Sequence, residues 1–168
     1  MPRTSYAIAI GSNRWGRYGP PVTQVQDARI FLSEVGRVTA SSPVIASPPL
    51  GPSRRRFANA VILFETMLDP PALLRALKAI ERDFGRRPGV RWGARVLDLD
   101  IVLWSAGPYW DRTLTIPHPQ FRKRRFVLDP LLRIAPDWRD PLSGLSVRQL
   151  AARARKVGHK VDRARLRS

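Results

Sequence analysis

The order of its apolar segments constrains this chain more than any other feature. Ser5 to Asn13, "SYAIAIGSN", reads as a short buried strand ending in a Gly-Ser-Asn turn. Val22, Val25, Ala28, Phe31, Leu32 and Val35 then recur at helical spacing until Gly36 stops them. "RVTASSPVIASPPLGP" is extended and broken by prolines, which suits an edge strand followed by a loop. "FANAVILFETML" is rich in branched and aromatic residues and reads as a second clear strand. In "DPPALLRALKAIERDFG" Asp69 can cap a helix, the prolines suit its first turn and Gly85 ends it. A basic loop then leads into "RVLDLDIVLW", Arg95 to Trp104, a further strand. Strand, helix, strand, strand, helix, strand suggests an α+β fold. The ferredoxin-like arrangement, a mainly antiparallel sheet with helices packed on its faces, accommodates this order.

Beyond that strand, "IPHPQFRKRRF" reads as a loop, "VLDPLLRIAPDW" as one short helix and "SVRQLAARARK" as a last amphipathic helix. A chain of 168 residues that is 43% apolar suits one folded domain. That domain is assigned to residues 1–150, with 151–168 as a basic C-terminal helix or tail. No apolar run approaches the ~20 residues of a membrane helix, and the N-terminus does not read as a secretory signal. With no cysteine there is no disulfide and no thiol chemistry. The expected setting is a monomer in the cytoplasm, without membrane contact.

The formal net charge is +17, a value that attracts polyanions. Residues 151–168 hold seven basic side chains and one acidic one, so most of the excess lies elsewhere. A nucleic-acid-binding module acting through the basic tail is therefore the alternative to an enzyme of phosphorylated substrates. Against it, no aromatic residues interleave with the tail to make a stacking platform.

Two acids in the strand 95–104 decide between these classes. Side chains alternate along a strand, which predicts Leu97, Leu99, Ile101 and Leu103 on one face and Val96, Asp98, Asp100 and Val102 on the other. Two carboxylates so placed repel and raise each other's pKa. A divalent cation removes that cost, and Mg²⁺ typically takes one or two carboxylates, water and substrate phosphates. Arg86, Arg87, Arg91 and Arg95 precede the pair, and Arg122, Lys123, Arg124 and Arg125 follow it. Acids for a metal, framed by guanidinium forks for phosphate oxygens, are the parts phosphoryl transfer requires. Neither a P-loop nor a dinucleotide-binding glycine motif is present.

"SPPLGP", "FANAVILFET", "IERDFGRR", "RWGARVLDLDIVLW" and "IPHPQFRKRRFVLDPLLRIAP", in this order, resemble the 6-hydroxymethyl-7,8-dihydropterin pyrophosphokinase family of the folate pathway. The resemblance runs from Tyr6 to Trp138. It implies a ferredoxin-like fold and transfer of a pyrophosphoryl group from ATP to the pterin's hydroxymethyl oxygen, releasing AMP. It implies that Asp98 and Asp100 bind two Mg²⁺ ions, and that Arg86 and Arg95 act with them in catalysis. Arg95, His118 and Arg124 would contact phosphates, while Arg86 and Arg91 would belong to a loop closing over the nucleotide. Glu81, Ile101 and Thr115 would line the nucleotide pocket; Lys78 stands where a glutamine is common. The pterin would stack between Phe57 and Phe126 and bond Asn59, with Pro48 to Leu50 contributing backbone groups. Phe57 and Asn59 are i and i+2 on one strand and share a face. A flat polar heterocycle wants aromatic faces and an amide that can donate and accept. A degenerate relative on the same fold is the other alternative.

Overall fold

A computed structural model describes residues 2–49, 55–85 and 96–165, without the side chains of 158–165. Its main sheet is built from β1 (Thr4–Ser12), β2 (Arg37–Ser41), β3 (Ile45–Ser47), β4 (Phe57–Thr66) and β5 (Asp98–Trp104). The order is β2-β4-β1-β5, β3 also pairs with β4, and all pairings are antiparallel. Helix α1 (Pro21–Ser33) connects β1 to β2, and α2 (Pro70–Asp83) connects β4 to β5. This is the α+β, ferredoxin-like arrangement expected from the sequence.

Both faces of the sheet are covered. On one face Val25, Ala28 and Leu32 of α1 and Leu73, Leu77 and Ile80 of α2 pack with Ile8, Ile10, Ala60, Ile62 and Leu99. On the other, α3 (Arg125–Ile134) and α4 (Val147–Arg165) bring Val127, Leu128, Leu131, Val147 and Leu150 against Ala7, Val61 and Val102. The central strand β4 serves both clusters, which is why "AVILF" is apolar without alternation. Each fully buried leucine contributes roughly 1.5–3 kcal/mol relative to an exposed one. Helix α2 starts where the sequence says: Asp69 accepts a hydrogen bond from Ala72 N at 2.8 Å, and Pro70 and Pro71 occupy the first turn. It ends at Gly85, whose φ of +97° suits glycine.

Three local readings are corrected. Gly11 is no turn residue, because β1 runs on to Ser12 and Gly11 itself pairs with Asn59 on one side and Asp98 on the other. A bulge sets Ala7 opposite Leu103 and Ile8 opposite Ile101, so Val102 has no partner in the ladder. Beyond the bulge Leu103 joins the cluster under α3 and α4 and does not follow Leu99 and Ile101. The stretch after β5 is more ordered than a loop. It holds the hairpin of β6 (Tyr109–Trp110) and β7 (Thr115–Ile116), one 3-10 turn at Phe121–Lys123, and the start of α3.

The 150/151 boundary falls inside α4, where Leu150 and Ala151 are both buried. Arg155 of α4 reaches Asp129 of α3 at 3.3 Å. Among the described residues no helix is long and apolar enough to cross a membrane.

Candidate active site

Strand register decides which side chains meet. Gly11 of β1 pairs with Asn59 of β4 on one side and with Asp98 of β5 on the other, and Ala9 pairs with Asp100. Directly opposed residues project from the same face. Asp98, Asp100, Asn59 and Phe57 therefore all leave the sheet on the side that α3 and α4 cover. Phe126, near the start of α3, packs against the cluster on this side. Pro48 follows β3 and is exposed.

Asp100 is the perturbed group. Burial pushes its carboxyl up to about 6, and the charge of Asp98 pushes the same way; Lys78 and Arg124 pull it back. His118 lies beside it, Nε2 3.9 Å from Asp100 Oδ2. The backbone N–H of His118 donates to Val102 O at 3.0 Å, which ties the loop to β5 at the bulge. Burial, then the charge of Arg124, hold the imidazole below its usual pKa. Its Nδ1 accepts from Gln120 N at 3.1 Å, so the neutral ring carries its proton on Nε2, turned toward the carboxylates.

The cationic run 122–125 divides by partner. Arg122 makes two 2.7 Å bonds to the buried Asp140, and Arg125 pairs with Asp129 at 3.2 Å. Arg124 is the member whose charge acts on both Asp100 and His118, and its guanidinium lies 5.7 Å from the Phe126 ring centroid. The sequence alone treats these cations alike; the fold assigns one to the acids.

At the outer edge of β5, Glu81 is fully buried. Its Oε1 accepts from Leu99 N at 2.8 Å and from Lys78 Nζ at 2.9 Å. An edge-strand amide and an ammonium thus satisfy a carboxylate that would be costly to bury alone. Thr115 is exposed on β7, opposite Trp110. The Ile101 side chain is 2% exposed and sits in the core, so its packing serves the fold.

Residues 7–136 match the family model of the 7,8-dihydro-6-hydroxymethylpterin-pyrophosphokinase. The chain belongs to this family. Its relatives include the 2-amino-4-hydroxy-6-hydroxymethyldihydropteridine pyrophosphokinase of Pseudomonas aeruginosa, 44% identical over 138 residues, 80% of this chain and 82% of the relative. The Synechocystis enzyme of the same name is 38% identical over 152 residues, 89% of this chain and 77% of the relative. The fold is shared with solved HPPK-DHPS proteins. One in complex with substrates gives a TM-score of 0.73 at 13% identity, over 90% of this chain and 43% of that one. The Plasmodium falciparum wild type gives 0.70 at 12%, over 90% and 41%. The chain thus spans less than half of those proteins.

The fold brings Asp98, Asp100, His118, Arg124, Asn59, Phe57 and Phe126 to one side of one sheet, whereas Ile101 packs on the other face, Glu81 is buried at the β5 edge and Thr115 lies on the β6–β7 hairpin. Asp98, Asp100, His118 and Arg124 form one group, with Asn59 and Phe57 two strands away on the same face. Arg86, Arg91, Arg95 and Leu50 lie outside the described residues. Sequence reasoning missed Gly11, which separates the two groups. It also missed Lys78 as the partner of Glu81, although a basic residue three before an acid in a helix is a signal for that pair.

Proposed function

We propose that this pyrophosphokinase-family chain transfers the pyrophosphoryl group of ATP to the hydroxymethyl oxygen of 6-hydroxymethyl-7,8-dihydropterin, with two Mg²⁺ ions at Asp98 and Asp100. The hydroxymethyl oxygen bonds to the β-phosphorus. The bond from that phosphorus to the α,β-bridging oxygen breaks, AMP leaves with that oxygen, and the hydroxyl proton passes to solvent. The single observation behind this reading is the register that sets Asn59, Gly11 and Asp98 side by side on one face. Two strand spacings of about 4.8 Å separate the amide from the acid, a span suited to a bicyclic ring with a one-carbon arm.

The donor chemistry of the pair fits magnesium. Two carboxylates on one face, one of them pushed up to about 6, offer hard oxygen ligands whose repulsion a divalent cation relieves. Magnesium bound there supplies the positive charge that phosphate oxygens need as the bond breaks. The protein's own groups do the rest. Arg124 presents a guanidinium fork to the phosphates, and the neutral His118 donates a hydrogen bond from Nε2. Phe57 and Phe126 offer apolar faces to the ring, and Asn59 bonds its polar edge. By family likeness Arg86, Arg91 and Arg95 add phosphate contacts. By the same likeness Glu81 and Thr115 flank the nucleotide, Ile101 serves that pocket through its backbone because its side chain is in the core, and Pro48 and Leu50 border the pterin.

Calorimetric titration tests the order of assembly. A non-hydrolysable ATP analogue should bind tightly only with Mg²⁺, and its presence should strengthen the subsequent binding of 6-hydroxymethylpterin. Nucleotide binding indifferent to Mg²⁺, with no pterin response, would reduce the site to arginines attracting phosphate.

A further inference from the structure

Leu99 is the residue between the two acids of β5, and α2 holds both its side chain and its amide. The side chain is fully buried in the cluster that contains Leu77 and Ile80. The amide donates to Glu81 Oε1 at 2.8 Å. Backbone N–H groups along an antiparallel strand point alternately toward and away from the partner strand. β5 ends the sheet order β2-β4-β1-β5, and Leu99 sits opposite Ile10 of β1. Its N–H points to the open edge, where a further strand would take it, and Glu81 takes it instead. Asp98 is the first residue of β5, so the acid pair lies at the very start of this edge strand. Stability does not explain a carboxylate at this spot. Glu81 is fully buried, a carboxylate is costly to bury even when paired, and an apolar side chain of similar volume often serves stability as well or better. Lys78 Nζ, three residues earlier on α2, meets both carboxylate oxygens at 2.9 and 3.1 Å. That fixes the orientation of the carboxylate and directs a charge-assisted bond at one amide, the one between Asp98 and Asp100.

We propose that Glu81 is a positioning residue for the two acids: through the Leu99 amide it sets the spacing and direction of Asp98 and Asp100, and Lys78 in turn fixes Glu81. The proposal rests on the Mg²⁺ reading above. Groups that orient metal ligands from behind change metal affinity about 10–100-fold when they are removed. A pair of acids at the start of an edge strand needs such support more than a pair inside a ladder, because only β1 holds its backbone from the other side. Fully buried, the Glu81 carboxylate acts through the strand rather than by touching the nucleotide it flanks.

The test separates geometry from charge. Glu81→Gln keeps an acceptor oxygen and loses the charge. Glu81→Asp keeps the charge and withdraws the acceptor by one methylene, and Glu81→Leu removes both. Each variant is read by calorimetry as the affinity of the ATP analogue without metal and the gain in that affinity when Mg²⁺ is added, with the thermal midpoint alongside. The Mg²⁺-dependent gain should fall at least about tenfold in Glu81→Asp and Glu81→Leu, and stay within about threefold of the parent in Glu81→Gln. Metal-free affinity should stay close to the parent's in all three. If Glu81→Leu does not fold, the aspartate and glutamine variants decide the question by themselves. A parental gain in Glu81→Asp, or a gain lost equally in Glu81→Gln, overturns the inference while the Mg²⁺ reading survives. A fall in metal-free affinity with the gain preserved makes Glu81 a direct nucleotide contact and also overturns it. A parent whose analogue binding ignores Mg²⁺ removes the metal reading, and this inference with it.

Discussion

Replacing Asp100 with asparagine should stop turnover and stabilise the metal-free protein at the same time. The loss of activity should reach about 10³-fold or more if, as proposed, this acid holds the ions that offset the charge on the transferring group. The gain in stability follows from linkage. Burial, then the charge of Asp98, push the folded carboxyl up to about 6, above the ordinary aspartate value of about 4. A raised acid pKa means the folded state holds its proton more tightly than the unfolded state. Ionised Asp100 therefore costs stability above pH 6, and that cost fades as pH falls toward 4. The full shift corresponds to about 3 kcal/mol. With a side chain 32% exposed, on the order of 1–2 kcal/mol is the realistic figure. Asp100→Asn should then melt roughly 3–6 °C above the parent at pH 7 without magnesium, with the difference shrinking at pH 5. A variant that keeps its rate, or melts lower at pH 7, contradicts the role given to this acid.

The second large effect is expected at Asp140→Ala, in the segment between α3 and α4. Asp140 is fully buried and receives Arg122 Nε and Nη2 at 2.7 Å each, together with the Ser143 hydroxyl and Leu142 N. Arg122 also lies over the Phe121 ring at 4.9 Å, so the guanidinium is held from two sides. Removing the acid strands a partly buried cation, at a cost of about 3–5 kcal/mol. The melting temperature should drop by on the order of 10 °C. Burial alone would raise the Asp140 pKa; the bonds from Arg122, Ser143 and Leu142 outweigh it and hold the carboxyl below its usual value. Its stabilisation is present above pH 4 and is lost as pH falls through the lowered folded pKa. Asp140→Asn should therefore lack that component of acid sensitivity. A variant with parental melting behaviour would refute the clamp. Because Arg122 lies between His118 and Arg124, the clamp also fixes the segment that presents them.

The parts of the site that could be read from the sequence are those fixed by period. Two acids one residue apart must share a strand face, and so must Phe57 and Asn59. What period does not fix is how strands are registered across a sheet. That register sets Asn59 beside Gly11 and Gly11 beside Asp98. Gly-Ser-Asn reads as a turn because its local preferences favour one, yet pairing on both sides of β1 overrides them. The bulge at Val102 has no sequence signature, and it reversed the face assigned to Leu103. Arginines 122, 124 and 125 look alike in the chain; Asp140 and Asp129 claim two of them and leave Arg124 for the acids. Helix α2 was legible throughout, since its cap, its prolines, its apolar spacing and its terminal glycine agree.

The most direct test of the central claim is ³¹P NMR of a turnover mixture containing the protein, ATP, Mg²⁺ and 6-hydroxymethyl-7,8-dihydropterin. The account predicts resonances of AMP and of a pterin diphosphate ester growing together, and no AMP when either the pterin or Mg²⁺ is left out. Growth of ADP with a pterin monophosphate, or of AMP without the pterin, would contradict it.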